Sequence, residues 1–510
     1  MNSTNKLWTL LVTLFLACST FVHATTLKLP TRDMVGPEAM PDTIAPITAP
    51  FEMSTPTLPH IPNKTFSCKL SKKGLQTQKI QAAIDRAAEA GGGTVILPSG
   101  VWTTGRIILR SHVNLHLSEG CELHFSGDIK EYLPAVFTRD EGIDIYSLGA
   151  CVYANGETDI ALTGKGKIVG PSTDCEIYRT NSEKTRNIEI VVGNKPIEER
   201  IYDGSINPEV FLPKTFAPIN CQNVLIESVT LEQGLFWNVV PQYCQNVIIR
   251  GVTVHSHGHG RTDGIDIDSS TDCLIEYCSL DCQDDCYTFK SGRGMDGVLK
   301  NRPTERVVVR YCLALRGVGG FVCGSETAGG MSDIYMHDCV FDGTERGFRF
   351  KTRRPRGGKS RNIFIERVRA KLLRDAVVSD MLGSVEWVGE LAARTFDRPV
   401  DILTPEFRDI TIHNVLIEQC RDMVRIDGIP ESPLQNLYFG HSVVRCNRLG
   451  HIRDARNIYL DELDIITPDS VLILDNAPRT TISKVRDLSS QQPLEVQYEG
   501  YPSPYLIEIH

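Results

Sequence analysis

Apolar residues recur along this chain in short alternating runs rather than at helical spacing. Val224-Leu225-Ile226, Val247-Ile248-Ile249 and Cys273-Leu274-Ile275 share one pattern, which starts again at Val307, Ile334, Ile363, Ile410, Leu437 and Ile458. Successive starts lie 23, 26, 34, 27, 29, 47, 27 and 21 residues apart. Two positions after each start stands an apolar residue: Ile226, Ile249, Ile275, Val309, Met336, Ile365, Ile412, Phe439 and Leu460. Five positions after it stands a small or branched one, such as Val229, Val252, Cys278, Cys312 or Cys339. Alternation with a period of two predicts one strand per copy, with one buried face.

A strand-bearing repeat of this length cannot bury its own face and must stack on its neighbours. The predicted fold is therefore all-β: a right-handed parallel β-helix, each coil adding a rung about 4.8 Å from the last. A leucine-rich repeat would need a Leu and Asn signature that is absent. The two long spacings predict loop insertions near 291–305 and 371–405. Ile80, Ala83, Ile84 and Ala87 share one face of a predicted helix over 76–90, which Gly91-Gly92-Gly93 stop. Such a helix would cap the N-terminal end of the stack and protect its edge. The β-helix is expected over 65–485, with 486–510 a tail packed on it.

The first 24 residues read differently. Lys6, an apolar run from Leu7 to Cys18 and the ending Val22-His23-Ala24 form a signal-peptide pattern with cleavage after Ala24. Export to the periplasm or the exterior is expected, and Cys18 after Leu16-Ala17 also admits a lipoprotein anchor. No other segment reads as a membrane span. Residues 25–64 hold eight prolines and little periodicity. They predict an extended leader that lies on the domain or links it to a membrane.

Composition narrows the functions. The 510 residues are 41% hydrophobic and 23% charged, which excludes a disordered chain. The net charge of −9 argues against nucleic acid as a partner. An anionic substrate would need a local concentration of positive charge. Sixteen cysteines in an exported chain suggest disulfides. Yet Cys278, Cys312 and Cys339 take the place of Val in an inward column, where they read as buried thiols. Cys273, Cys278, Cys282 and Cys286 match no common zinc spacing, so no metal and no cofactor are assigned.

Chemistry concentrates in two adjacent coils, at Arg261-Thr262-Asp263-Gly264-Ile265-Asp266 and Asp284-Asp285-Cys286-Tyr287-Thr288-Phe289-Lys290. Asp263, Asp284 and Asp285 have similar offsets in their coils, so they should meet on one side of the stack. Like charges that close cannot all ionise, which leaves an acid beside a base, as glycoside hydrolysis requires. Solvated turn aspartates or a calcium site are the alternatives. Two coils later a basic stretch begins. Alternation points Arg349 and Lys351 the same way, suited to a carboxylate. Lys290, His257 and His259 are further candidates for binding substrate.

The ordered set Thr-Asp-Gly (262–264), Asp-Asp (284–285), Gly-Ser-Glu (324–326) and Arg-x-Lys (349–351) resembles glycoside hydrolase family 28, the polygalacturonase family. Gly91-Gly92-Gly93-Thr94-Val95, Pro98-Ser99-Gly100, Thr163-Gly164-Lys165-Gly166 and Trp237 with Pro241 extend the likeness over roughly 65–480. The resemblance implies inverting hydrolysis of galacturonosyl linkages in pectin. It implies Asp284 as general acid, Asp263 and Asp285 as the pair activating water, and Arg349 and Lys351 as holders of a uronate carboxylate. The chain departs from the family at Gly317-Val318-Gly319, where Gly-His-Gly is usual, and at Arg261, where Asn is usual. The missing histidine makes a branched or alternating pectin, such as a rhamnogalacturonan fragment, a credible substrate, and His257 or His259 a candidate replacement. Insertions near 190–215 and 371–405 would wall off one end of the groove and favour exo action. The expected protein is a monomer acting on a pectic poly- or oligosaccharide. A calcium-dependent β-helical lyase and a non-catalytic carbohydrate-binding solenoid are the competing readings.

Overall fold

The computed structural model describes residues 27–71, 73–181, 187–490, 494–499 and 508–509. The signal-peptide reading and Cys18 lie outside these residues. Among them no helix is long and apolar enough to cross a membrane.

Nearly every strand belongs to one continuous parallel ladder. The repeat strands pair in the order the alternation predicts. Ile226 opposes Ile249, Ile249 opposes Ile275, and Ile275 opposes Val309. The same column continues through Met336, Ile365, Ile412, Phe439 and Leu460. These side chains are buried and form a single core along the stack. Each coil turns through residues in the left-handed region. One corner precedes the strand's first inward residue, at Asn223, Asn246, Asp272, Arg306, Asp333, Asn362, Asp409, Asn436 and Asn457, with φ between 54 and 58°. Asn and Asp tolerate this conformation better than other non-glycine residues. Their side chains also bond between coils, as Asn246 Nδ2 does to Asn223 Oδ1 at 2.7 Å.

The helix Thr77–Glu89 buries Ile80, Ala83, Ile84 and Ala87 against the first strands. The 34-residue spacing holds a short helix, Gly294–Lys300, and the 47-residue spacing holds a loop with a helical turn, Val385–Val388. Beyond 485 the ladder continues: Glu495–Glu499 pairs with Val471–Asp475. One hairpin breaks the parallel rule, Val136–Asp140 against Ile143–Ser147. All fifteen described cysteines are free thiols and fourteen are buried, so no disulfide closes a described coil.

The proline-rich leader lies along the outside of the repeat strands. Ile44, Ile47, Ala49, Phe51 and Met53 cover Leu274, Val308 and Tyr335. Its carbonyls are held by a buried charge ladder. Arg250 donates to Pro41 O at 2.6 Å, and Arg310 donates to Ala45 O at 2.7 Å. Glu276 bridges the two arginines.

Candidate active site

The site forms on another face of the same coils. Ile265–Asp268, Tyr287–Lys290, Gly319–Cys323, Arg346–Lys351 and Asp375–Asp380 pair in parallel, one rung after another. The turn before the first strand carries Asp263, and the turn before the second carries Asp284 and Asp285. Stacking two coils in register therefore brings the three carboxylates together. One oxygen from each lies within 4.8 Å of the others.

Their surroundings differ. Asp285 is fully buried. Lys351 Nζ donates to its Oδ2 at 2.6 Å, and the Arg349 guanidinium stands 3.7 Å from Oδ1. Burial alone would push this carboxyl up, but Lys351 and Arg349 outweigh it and hold it below the usual carboxylate range. Asp284 has no such partner. Burial and then the neighbouring Asp285 charge raise its pKa, and its oxygens accept only main-chain N–H groups, from Arg261 at 3.1 Å and Asp285 at 3.0 Å. Burial raises Asp263 further still, though Lys290 Nζ stands 3.3 Å away. The trio thus pairs one firmly ionised carboxylate with a neighbour that keeps its proton to higher pH. That is the division general acid–base chemistry needs.

Lys290, a candidate for binding substrate, lines the cavity but has its charge engaged within the protein. It is buried, with Nζ 3.1 Å from Asp266, 3.7 Å from Glu326 and 3.6 Å from the centroid of the Trp237 ring. It is the internal counter-ion of the carboxylates. Burial would favour its neutral amine, but Asp266, Asp263 and Glu326 keep it charged. Burial in turn pushes the Asp266 carboxyl to about 7.

The histidines are elsewhere. His257 Nε2 meets Asp281 Oδ1 at 2.8 Å, and His259 contacts the carbonyls of Gly260 and Gly234 and the ring of Tyr178. Neither lines the cavity that holds the acids. Val318 donates its main-chain N–H to Asp284 O at 3.0 Å, but it is not among the residues that line the cavity. Arg349 and Lys351 do line the cavity, although both are already paired: Arg349 also bonds Asp380 at 3.2 Å.

The cavity measures about 220 Å³, and seven Lys and Arg side chains line it against four Asp and Glu. In a chain of net charge −9 this is the local positive charge an anionic substrate needs. The carboxylate trio could by itself ligate a cation. However, Lys290, Lys351 and Arg349 already balance Asp263 and Asp285, leaving little uncompensated charge for a calcium ion. Trp387, from the 371–405 insertion expected to wall the groove, lines the cavity, and so does Glu141, at the tip of the antiparallel hairpin, which was not legible as a site residue. Residues 190–215, expected to form a wall, contribute none of its lining. A larger cavity of about 520 Å³ lies around Arg394, Glu431 and Asp475, but Arg394 there is bound by Asp454 and Asp475.

Comparison with known proteins agrees with this arrangement. Residues 203–381 match the family described as glycosyl hydrolases family 28. A Vitis vinifera protein named "Probable polygalacturonase" is 27% identical over 375 residues, covering 71% of this chain and 70% of that protein. An exo-poly-alpha-D-galacturonosidase of Dickeya chrysanthemi is 23% identical over 389 residues, 72% of this chain and 63% of the relative. The crystal structure of an exopolygalacturonase from Thermotoga maritima superposes with a TM-score of 0.61 at 24% identity, covering 88% of this chain and 94% of that one. Its likeness establishes the β-helix fold, while the sequence matches carry the family. With the Asp trio and its cationic partners in place on that fold, the chain is a polygalacturonase-like glycoside hydrolase whose residues 203–381 match glycosyl hydrolases family 28.

Proposed function

We propose that this protein is an exported monomer that hydrolyses α-galacturonosyl linkages in pectin by single displacement, acting from a chain end. The observation that carries the reading is the unequal charge environment of the trio. Asp284, raised by burial and by Asp285, donates a proton to the departing glycosidic oxygen. Asp285, held ionised by Lys351 and Arg349, accepts a proton from the attacking water. Asp263, oriented by Lys290, shares in holding that water. The trio is tighter than the about 6.5–9.5 Å separation of the common inverting pair. The inverting assignment therefore rests on the protonation states and on the family likeness, and the anomer of the first product tests it.

Exo action is supported by the cavity's two walls, Glu141 on the N-terminal side and Trp387 on the C-terminal side. The names of the Dickeya and Thermotoga proteins point the same way. Export rests on the pattern of residues 1–24. The helix Thr77–Glu89 is read as the cap of a right-handed stack.

The test is a product profile on homogalacturonan and rhamnogalacturonan oligosaccharides. The reading expects new reducing ends, no ultraviolet-absorbing double bond, and a monosaccharide as the first product. An absorbing product would replace it with a lyase. Binding without release would replace it with a non-catalytic solenoid.

A further inference from the structure

The cavity around the acids is lined by charge almost throughout. Besides Ser325, the uncharged side chains lining it among the described residues are Trp237 and Trp387. Trp237 is 4% exposed, and Lys290 Nζ stands 3.6 Å from its ring centroid, so that face is taken. Trp387 is 42% exposed and open to the cavity. A pyranose has polar edges and an apolar C–H face, and that face gains by leaving water only against an apolar surface. Trp387 is the lining side chain that offers one, large, rigid and flat.

The loop that carries Trp387 is pinned at both ends. At its start Gly383 donates its N–H to Asp380 Oδ1 at 3.2 Å, and the same carboxylate binds Arg349. Gly383 lies at φ 76°, and a Cβ there would stand 2.3 Å from the Cδ of Arg353, so a side chain would push the loop off its seat. The helical turn Val385–Val388 then presents Trp387. At the far end Arg354, whose side chain is fully buried, donates to Leu391 O at 2.9 Å and to Ala393 O at 2.8 Å. Arg394 bridges two carboxylates of later coils, Asp475 at 2.7 Å and Asp454 at 3.1 Å. With both ends fixed, little freedom is lost when a ring packs on the indole.

We infer that Trp387 is the platform on which the pyranose ring on the Arg349 side of Asp284 lays its C–H face, and that Arg394 is a positioning residue for that platform. This rests on the pectin-hydrolase reading and adds to it a contact that does not depend on the sugar's charge.

The test combines acrylamide quenching of tryptophan fluorescence with steady-state kinetics on digalacturonate. It uses the full chain as wild type, Trp387→Phe, Trp387→Ala, Arg394→Gln, Arg394→Lys and the Trp387→Ala, Arg394→Gln double variant. Saturating galacturonate should protect wild-type fluorescence from acrylamide, because Trp102 and Trp237 are already buried. That protection should vanish in Trp387→Phe. A contact made alike in the ground and transition states moves KM more than kcat. Trp387→Ala should therefore raise KM about tenfold with kcat within about twofold, and Trp387→Phe should raise KM less. Arg394→Gln should raise KM in the same way, Arg394→Lys should recover part, and the double variant should show no further rise over Trp387→Ala. An unchanged KM in Trp387→Ala, or wild-type fluorescence that galacturonate does not protect, overturns the platform. A fall in kcat alone overturns it too and leaves the loop as a support for Arg349 through Asp380. A further rise in the double variant overturns the role of Arg394. Wild type that leaves digalacturonate intact sinks the hydrolase reading instead, and protection by galacturonate then still decides for or against the platform.

Discussion

Two faces of the stack carry outward columns with the same rung spacing and opposite chemistry. On the repeat face the column is apolar: Ala161, Leu225, Ile248, Leu274, Val308, Tyr335 and Phe364 oppose one another in register. On the catalytic face the outward positions hold Asp266, Asp268, Lys290, Arg349, Lys351 and Asp380. Chain from the leader covers much of the first column, with Ile44, Ile47 and Phe51 among its contacts. On the second, buried charges neutralise one another and leave a cavity at its centre. An outward apolar column has to be covered by the chain itself, whereas an outward charged column that stays buried must be matched charge by charge. What remains unmatched is left for a ligand.

That contrast can be broken from the charged side first. Lys290→Met leaves Asp263, Asp266 and Glu326 without their shared cation. Removing one member of a buried ionic cluster typically destabilises by about 3–5 kcal/mol. Chemical denaturation should read that loss at pH 7, with a smaller one at pH 5, where the raised Asp263 and Asp266 carboxyls take up protons. An unchanged midpoint would mean the cluster is solvated.

A smaller effect is expected for Lys351→Ala. Its ammonium holds Asp285 ionised, so its removal raises that pKa. The base is active only above its pKa, so the acidic limb of the kcat/KM profile should move up by about one unit or more. A limb that stays in place would separate Lys351 from the base.

The smallest change tests the covered face. Phe51 is half-buried on Val308 and Phe364, its ring 6.3 Å from that of Phe364. Phe51→Ser should lower stability by about 1–2 kcal/mol and leave kcat/KM unaltered. A matching fall in activity would show that the leader also shapes the catalytic face.

The alternation of apolar residues was enough to read the stack, because burial of one strand face is written locally in each coil. The same periodicity placed Asp263, Asp284 and Asp285 together. The corner signal was also present. Asn or Asp stands before eight of the nine strand starts, and only Arg306 departs from it. The walls were harder to read. Glu141 meets Arg293 across 152 residues of chain, from a hairpin outside the repeat, and no local pattern marks that contact. Lys290 is a candidate substrate ligand in the sequence, and it does line the cavity, but its pairing with Asp263 and Asp266 and its place over Trp237 were not legible there. His257 was drawn to the acids by sequence proximity, but Asp281, on the adjacent rung, holds it.

The division of labour within the trio is tested most directly by changing the leaving group. An aryl galacturonide with an acidic phenol departs without a proton from the enzyme, whereas a sugar leaving group needs one. Asp284→Asn should lose about 10²–10⁴-fold on digalacturonate yet keep most of its activity on the aryl compound. Asp285→Asn should lose comparably on both, because water must still be activated. Equal losses for Asp284→Asn on the two substrates would contradict its role as the acid, and with it the account of the site.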